Sequence, residues 1–231
     1  MTTPLFLDDP YRKSASGQVT AVTDEGGLVL DTTIFYAQGG GQPGDSGVLF
    51  WIGGRVPIAT TRRGQGADIV LLPAEPVALP PVGATVQQHI NWTRRFGHMR
   101  VHTALHLLGA LIPAPVIDGA IGARDGRLDF DDVKISLDKM ILTGQLNTMI
   151  SRDLPVQAAQ ANTHNSIRAA ENADPATYVR MVHINDGDTT IDLQPCEGTH
   201  VSRTSEIGKI FIKGLEPLDD WSLRVVLQLG T

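Results

Sequence analysis

The 231-residue sequence contains a single cysteine. One cysteine excludes an internal disulfide framework and is typical of a protein kept in a reducing compartment. The sequence also lacks any run of roughly 18 apolar residues, the length that a membrane-spanning helix needs. Its first residues do not show the basic and then apolar pattern of a signal peptide. We therefore expect a cytoplasmic protein that makes no membrane contact.

Positive charge is scarce as well, with 19 Lys and Arg against 25 Asp and Glu and a formal net charge of −6. Proteins that coat nucleic acid are normally basic, so any nucleic acid should meet only a local patch of this surface. The hydrophobic fraction of 42% is typical of a folded protein. The length allows one large domain or two modest ones.

The first ninety residues predict β structure. Short β-prone runs alternate with Gly- and Pro-rich segments, a spacing typical of a small barrel or sandwich. The Pro-rich stretch 73–83 predicts a connector or an edge segment, because proline removes backbone donors. The predicted strands are 18–23, 27–31, 48–52 and 84–90.

The pattern changes near residue 91. A helix is predicted over 92–111, closed by Pro113, and a second one over 138–152. The Asn-Asp-Gly-Asp sequence at 185–188 indicates a hairpin turn. The other predicted strands are 126–130, 154–161, 179–184, 189–193, 207–212 and 223–229. The predicted fold class is α+β, with a β domain over 1–90 followed by a mixed domain over 91–231.

Two short motifs indicate a metal site. His102 and His106 form an HxxxH pair, and residues four apart on a helix share one face, about 5–6 Å apart at Cβ. Cys196 and His200 form a CxxxH pair in a segment where Gly198 favours a loop. Imidazole and thiolate together suit tetrahedral Zn²⁺. No Glu follows the first histidine, so the base of an HExxH protease is missing.

The ligand count leaves two alternatives open. If His200 binds, the shell is closed and suits a structural site. If His200 does not bind, water takes the fourth position and its pKa falls toward ~7. A lone HxxxH or a lone buried cysteine is more often structural, but the two motifs together favour a shared zinc. The remaining histidines lack comparable partners and are interpreted as surface or satisfied core residues: His89, His98, His164 and His183.

At this point the sequence resembles a known family. HTALHLL (102–108) and CEGTHV (196–201) are similar to the editing domain of alanyl-tRNA synthetase. The similarity is greater still to the free-standing AlaX-type alanyl-tRNA editing proteins. The glycine-rich stretch DTTIFYAQGGGQPGDSG (31–47) and RLDF (127–130) match as well. The resemblance runs from about residue 5 to the end, and the length suits the medium form of the family.

The resemblance implies a small N-terminal β-barrel domain that carries the glycine-rich motif. It also implies a two-layer α/β editing-type domain with a zinc site. The implied activity is ATP-independent hydrolysis of tRNA(Ala) mischarged with serine, and also with glycine, in support of translation fidelity. The implied zinc ligands are His102, His106, Cys196 and His200, with zinc-bound water as the catalytic group.

Further site residues follow from the same resemblance. Thr33 is implied to line the pocket for the amino-acid side chain, where its hydroxyl could bind that of serine; the alternative is a β-branched strand residue. Glu197 departs from the family's usual CGGTH, and is either a solvated loop residue or a catalytic group beside the metal. The other substrate-binding candidates are Gly39, Gly40, Gly41 and Gln42.

Arginines beside the zinc helix are candidates for contact with tRNA phosphates, or else form a solvated helix face. They are Arg94, Arg95 and Arg100, and Lys209 and Lys213 near the end are similar. Two other functions stay open. One is a non-catalytic, zinc-stabilised tRNA-binding module. The other is a related zinc-dependent aminoacyl-ester hydrolase with a different substrate.

Overall fold

A computed structural model describes residues 1–162 and 178–230, which leaves His164 outside the described residues. The chain forms two compact units, Met1–Phe96 and Gly97–Thr231. Within these residues the fold is mostly sheet with two α-helices, which is typical of the α+β class. The first unit contains β1 (Thr3–Pro4), β2 (Ser14–Val22), β3 (Leu28–Leu30), β4 (Thr32–Thr33), β5 (Gly47–Trp51), β6 (Gly54–Arg63), β7 (Ile69–Pro73) and β8 (Thr85–Ile90).

Six of these strands close into a barrel in the order β2-β3-β7-β6-β5-β8. The predicted barrel is thus confirmed, and closure removes the open sheet edges that a strand would otherwise expose. Strands β6 and β7 were not predicted. Pro57 lies inside β6, opposite Val48, and proline in a strand-like run argues against a strand. The strand tolerates it beside the register shift between Ile58 and Thr60.

Buried and exposed residues alternate along the strands, and the buried side chains fill the inside of the barrel. In β8, Val86, Gln88 and Ile90 are buried while the residues between them are exposed. Gln88 is the polar exception among these inward residues. Its Oε1 accepts from the Thr33 hydroxyl at 2.8 Å and its Nε2 donates to the Thr32 carbonyl at 2.9 Å. A buried amide is tolerated only with such partners.

A buried ion pair organises the first unit. Arg95 is fully buried, and its Nε and Nη2 donate to the carboxylate of Asp45. The same guanidinium donates to the carbonyls of Ile34 at 2.7 Å and Pro10 at 3.0 Å. Asp45 also accepts from the backbone N–H of Tyr36 at 2.7 Å. The pair therefore satisfies the backbone of the segment that follows β4.

The described part of the second unit holds two antiparallel sheets, β14-β15-β10-β9 and β11-β12-β13. Helix α1 (Trp92–Leu111) begins in the first unit and ends in the second, and its bounds agree with the predicted helix. The other elements are β9 (Val116–Ile121), β10 (Asp125–Phe130), α2 (Lys139–Ser151), β11 (Val156–Asn162), β12 (Tyr178–Asp186), β13 (Thr189–Pro195), β14 (Ile210–Pro217) and β15 (Leu223–Leu229).

Helix α2 is fixed at its start and along its side. Asp138 caps it by accepting from the backbone N–H groups of Met140 and Ile141 at 2.8 and 2.9 Å. Thr143 accepts from the backbone of Ile212, and Asn147 bonds both backbone groups of Ile210. Side-chain amides and hydroxyls of the helix thus replace a neighbouring strand at the edge of the sheet.

The strand predicted over 207–212 is wrong at its start. Residues Thr204–Ile207 form a 3-10 turn, which Gly208 ends with φ +70, and β14 then runs on to Pro217. The Glu206 carboxylate closes the turn by accepting from the backbone N–H groups of Ser202 and Arg203 at 3.1 Å. Strand β9 was not predicted either. The domain boundary at residue 90 and the two-layer arrangement stay predictions.

No helix in the described ranges is long and apolar enough to cross a membrane.

The Arg95–Asp45 pair gives a stability prediction. Replacing Arg95 with Ala leaves the Asp45 carboxylate buried and unpaired, so we expect the free energy of unfolding to fall by about 3–5 kcal/mol. Arg94→Ala, one residue earlier and partly exposed, is the matched control and should change it by no more than about 0.5 kcal/mol. Urea denaturation measures both. Equal stabilities of the two variants would contradict the structural role of Arg95.

Candidate metal centre

Helix α1 supplies two imidazoles from one face. His102 and His106 are one helical turn apart, and their ring centroids lie 5.2 Å from each other. Both are buried, with 7% and 5% exposure. The helix is buried on all sides from Val101 to Gly109, which is typical of a helix in a protein core. The site is therefore interior, and its polar groups need partners.

The loop after β13 supplies the other two groups. Cys196 follows Pro195, the last residue of the strand, and its backbone N–H donates to the carbonyl of Arg180 at 3.0 Å. Arg180 returns the contact, because its Nη1 donates to the carbonyls of Cys196 at 2.5 Å and Gly198 at 3.0 Å. The backbone N–H of Gly198 lies 3.4 Å from the Cys196 sulfur. These bonds fold the loop back on itself, so that Cys196 and His200 face the same point.

The four side chains converge. One ligand atom from each of His102, His106, Cys196 and His200 can be chosen so that all lie within 4.8 Å of one another. The Cys196 sulfur is 3.4 Å from Nε2 of His102 and 3.3 Å from Nε2 of His200. In tetrahedral zinc geometry, a sulfur and a nitrogen ligand are separated by about 3.6 Å. The donor set and its spacing fit one ion of this kind, and the cluster could hold a metal ion.

Two residues that the sequence did not reveal fix the histidine rings. Nδ1 of His106 lies 2.6 Å from the buried carboxylate of Asp192, which also accepts from the Gln194 amide at 2.9 Å. Thr103 donates its hydroxyl proton to the Met99 carbonyl at 2.9 Å, so it can only accept from Nδ1–H of His200, 3.2 Å away. The two oxygen atoms favour a proton on Nδ1 of each ring, and the Gln194 amide nitrogen also lies 2.7 Å from Nδ1 of His106. With Nδ1 protonated, the neutral form of each ring offers Nε2 to an ion.

Burial and the contacts among the four side chains shift their pKa values. Burial alone would raise the pKa of the Cys196 thiol, but the imidazoles of His102 and His200 hold it well below its ordinary value. Burial, with His102 nearby, lowers the pKa of His200 to about 3. Thiolate and neutral imidazole are the ligand forms of these side chains.

His106 behaves differently from the other two groups. Burial alone would lower its pKa, but the hydrogen bonds with Asp192 and Cys196 raise it to about 9. A metal ion would have to displace the proton on Nε2 of this ring, so binding at His106 is coupled to proton release.

The candidate substrate residues lie in the first unit. Thr33 is fully buried, and its hydroxyl donates to Gln88 and accepts from the backbone N–H of Phe35 at 3.1 Å. Gly39 and Gln42 exchange two backbone hydrogen bonds, of 3.1 and 2.9 Å, around Gly40 and Gly41. These two glycines have φ of +54 and +76, which side chains rarely adopt. The glycine-rich motif therefore forms a tight turn, and the side chain of Gln42 is buried beneath it.

The predicted tRNA contacts occupy unlike environments. Arg95 is fully buried against Asp45, which removes it from any surface that a phosphate could reach. Nη1 of Arg94 lies 3.5 Å from the Ala59 carbonyl. Arg100 is half-buried, and its Nε donates to the Ile207 carbonyl at 2.7 Å. Glu197 is exposed on the ligand loop.

The other lysine and histidine candidates in the described residues are not part of the four-residue cluster. Lys209 and Lys213 are exposed. His98 is buried and His89 is exposed, while the ring of His183 lies within hydrogen-bond distance of Thr190 and Asn185.

Comparison with known proteins links both units to aminoacyl-tRNA synthetases. Residues 10–94 match the family described as tRNA synthetases class II (A). Residues 179–220, which include Cys196 and His200, match the threonyl and alanyl tRNA synthetase second additional domain. Alanine–tRNA ligase from Pyrobaculum arsenaticum is 33% identical over 244 residues, and the one from Caldivirga maquilingensis is also 33% identical over 244 residues. Each alignment covers 99% of this chain but only 27% of the relative's length.

The ring contacts give a prediction for metal affinity. Asp192→Asn keeps the shape of the side chain but removes the charge that holds Nδ1–H of His106, so we expect Zn²⁺ affinity to fall by about 10- to 100-fold. Competition with a chromogenic chelator measures it. Asp188→Asn, on the exposed turn of the same hairpin, is the matched control and should bind as the parent does. Parent-like affinity in Asp192→Asn would show that the carboxylate does not support the site.

Proposed function

We propose that this chain, a relative of the alanyl-tRNA synthetases that resembles the AlaX-type editing proteins, is a trans-editing hydrolase of tRNA(Ala) mischarged with serine, and also with glycine. The observation that carries the proposal is the convergence of His102, His106, Cys196 and His200 in the interior. Part of that cluster falls within the match to the second additional domain. The relatives are named alanine–tRNA ligases, so tRNA(Ala) is the partner that similarity favours.

Zinc is the proposed cofactor, held by His102, His106, Cys196 and His200. When bound, it would supply Lewis-acid activation of water at neutral pH, which suffices for an activated aminoacyl ester. Asp192 and Thr103 hold the rings so that Nε2 of His106 and of His200 faces the cluster. Arg180 holds the carbonyls of the ligand loop, and thereby the sulfur of Cys196.

The fourth ligand decides between two functions. Four protein ligands complete a tetrahedral shell, whereas catalytic zinc sites keep one position open. We assign His200 as the exchangeable ligand, because its ring contact to Thr103 is 3.2 Å and neutral, while that of His106 to Asp192 is 2.6 Å and charge-assisted. The burial of all three imidazoles favours the second candidate, a closed structural zinc in a tRNA-binding module.

The proposed substrate contacts come from the glycine-rich turn. Gly40 and Gly41 are exposed, and open space surrounds the position of a side chain at Gly40. The backbone there is accessible to a ligand.

Thr33 stays a proposed contact for the serine hydroxyl. One lone pair of its oxygen is left after the bonds to Gln88 and Phe35. Glu197, exposed beside Cys196, stays a proposed catalytic group.

A deacylation panel tests the proposal. We expect the zinc-loaded protein to hydrolyse Ser-tRNA(Ala), to hydrolyse Gly-tRNA(Ala) as well, and to spare Ala-tRNA(Ala). An added chelator should abolish the activity. The release of labelled amino acid is the measurement. If the zinc-loaded protein hydrolyses none of the three substrates, the proposed activity is wrong and the chain is better described as the non-catalytic tRNA-binding module. Preference for an unrelated aminoacyl-tRNA would indicate the related hydrolase.

Ligand variants separate catalytic from structural zinc. If His200 is exchangeable, His200→Ala keeps one equivalent of zinc and measurable hydrolysis. His102→Ala, on helix α1, should lose zinc affinity by at least about 10-fold, because loss of a residue that only supports a ligand already costs about 10- to 100-fold. Zinc content by atomic absorption and deacylation rate are measured on the same samples. Loss of zinc in His200→Ala would instead indicate a closed, four-ligand site.

A further inference from the structure

We infer that the outer face of the barrel strands β6, β5 and β8 binds an unpaired stretch of tRNA. Phe50 and His89 stack with one of its bases. Arg55 and Arg94 contact phosphates on either side of that base. This surface is called the stacking groove below. The inference rests on the proposed function in one respect, that tRNA is the macromolecule bound, and it adds a binding surface on the first unit.

Strand alternation brings two rings and one cation to the outer face of the barrel. In β5 the inward residue Leu49 is buried, whereas Phe50 is 43% exposed. Phe50 lies opposite Arg55 of β6, and such neighbours on one face are about 4.5–5.5 Å apart at Cβ. On the other side, the ring centroid of His89 in β8 lies 5.5 Å from that of Phe50, with the two planes at 86°. His89 and Arg55 are both exposed.

An open groove of about 760 Å³ runs along these rings. Its volume lies within the range of roughly 300–1,000 Å³ that is usual for sites of small molecules, so it has room for a nucleotide. None of the residues that line it is acidic, and they come from β5, β6 and β8 and the residues next to them. They are Ser46, Gly47, Val48, Phe50, Ile58, His89, Ile90 and Asn91.

Arg94 adds a second cation toward the other end of the groove. Its Nη1 lies 3.5 Å from the carbonyl of Ala59, the residue that follows Ile58 of the lining. Ala59 is four positions after Arg55 on β6, so about 13 Å of strand separates the two cationic positions. The backbone N–H of Arg94 also donates to Oδ1 of Asn91 at 3.2 Å, which ties the arginine to the lining.

The charge of both cations is uncompensated among the described residues. No ion pair there includes Arg55 or Arg94. By contrast, Arg62 further along β6 is paired with Glu25. The chain as a whole carries a net charge of −6, so two uncompensated cations along one groove are a local feature. They favour an anionic ligand at this face.

A single-stranded nucleic acid suits this arrangement better than a duplex or a peptide. Proteins bind single strands by stacking bases on aromatic side chains while cations follow the phosphates. In a duplex each base already stacks on its neighbours and offers no free face to a protein ring. An acidic peptide would satisfy Arg55 and Arg94 but would leave the exposed ring of Phe50 without a planar partner.

Binding of uncharged tRNA(Ala) and of a short single-stranded RNA tests the stacking. Phe50→Ala should lower the affinity for both at least about fivefold, the usual effect of removing an aromatic ring from a stacked base. Phe50→Leu should lose nearly as much, because leucine keeps the apolar contact but has no ring, and Phe50→Trp should bind as the parent does. Phe211→Ala is the matched control, since Phe211 is 46% exposed on β14 and outside the groove, and it should also bind as the parent does.

Salt dependence tests the phosphate contacts. Arg55→Ala and Arg94→Ala should each reduce the slope of log Kd against log salt by about 0.7, the value for one phosphate of a single strand. Arg62→Ala is the matched control, because Arg62 is exposed on the same strand but paired with Glu25, and it should leave the slope unchanged. A blunt RNA duplex should bind the parent and Phe50→Ala equally.

Parent-like affinity of Phe50→Ala or of Phe50→Leu for the two RNAs would overturn the inference, as would an equal loss in Phe211→Ala. Competition by a poly-glutamate peptide as effective as that by single-stranded RNA would also overturn it and indicate a peptide site. Thermal unfolding of each variant shows whether the fold is kept, and Phe50→Trp shows whether binding follows the ring.

The outcome does not depend on hydrolysis, because neither RNA carries an amino acid. Binding that is lost in Phe50→Ala, in a protein that never deacylates, would support this inference and reject the proposed activity. An active deacylase whose Phe50→Ala variant binds both RNAs as the parent does would support the activity and reject the stacking groove.

Discussion

Three buried imidazoles and a thiol can bind one ion only if each ring keeps its proton on the nitrogen that faces away from the cluster, because the other nitrogen must offer its lone pair to the ion. Asp192 meets this condition for His106 and Thr103 meets it for His200. Without these partners, each ring could turn a proton toward the cluster, and a buried polar group without a partner costs about 1–3 kcal/mol. The chemistry of the four ligands therefore depends on two residues that bind no ion. Thr103 lies between the histidines on α1 and supports His200 of the loop after β13, whereas Asp192 lies on β13 and supports His106 of α1, so each element holds a ligand that the other supplies.

The site also depends on bringing together segments far apart in the chain. His102 and Cys196 are separated by 94 positions, and closing so long a loop carries an entropic cost that local contacts must offset. The β12–β13 hairpin reduces the problem to placing one rigid unit, since Arg180 on β12 holds the carbonyls of the ligand loop at the end of β13. Any ion that binds the assembled cluster and not the unfolded chain adds its binding energy to folding. The site and the second unit are therefore expected to be mutually stabilising.

Local patterns were sufficient where short-range rules decide the structure. Helix 92–111 was predicted with its observed bounds, because an apolar periodicity ends at Pro113, and the hairpin at 185–188 followed from its turn residues. The prediction failed where tertiary contacts override propensity. Strand β6 contains Pro57 and charged residues yet belongs to a closed barrel, since its neighbours β5 and β7 supply the pairing. Asp192 and Thr103 could not be found in the sequence for the same reason. An aspartate in a strand and a threonine in a helix have no distinctive spacing, and only the fold places them beside an imidazole.

The three arginines of α1 show how far one sequence feature can diverge in role. They lie within seven residues, and the sequence alone treats them as one basic group. Arg95 is fully buried and satisfied by Asp45 and two carbonyls, so its charge is internal to the first unit. Arg100 is half-buried, and burial together with the charge of Arg124 lowers its pKa, while its Nε donates to the Ile207 carbonyl at 2.7 Å. Gly208 leaves room for this guanidinium, because it has no side chain and its φ of +70 is one that other residues rarely adopt. The same helix therefore supplies an internal ion pair at Arg95 and a backbone contact at Arg100, and only tertiary contacts decide between the two roles.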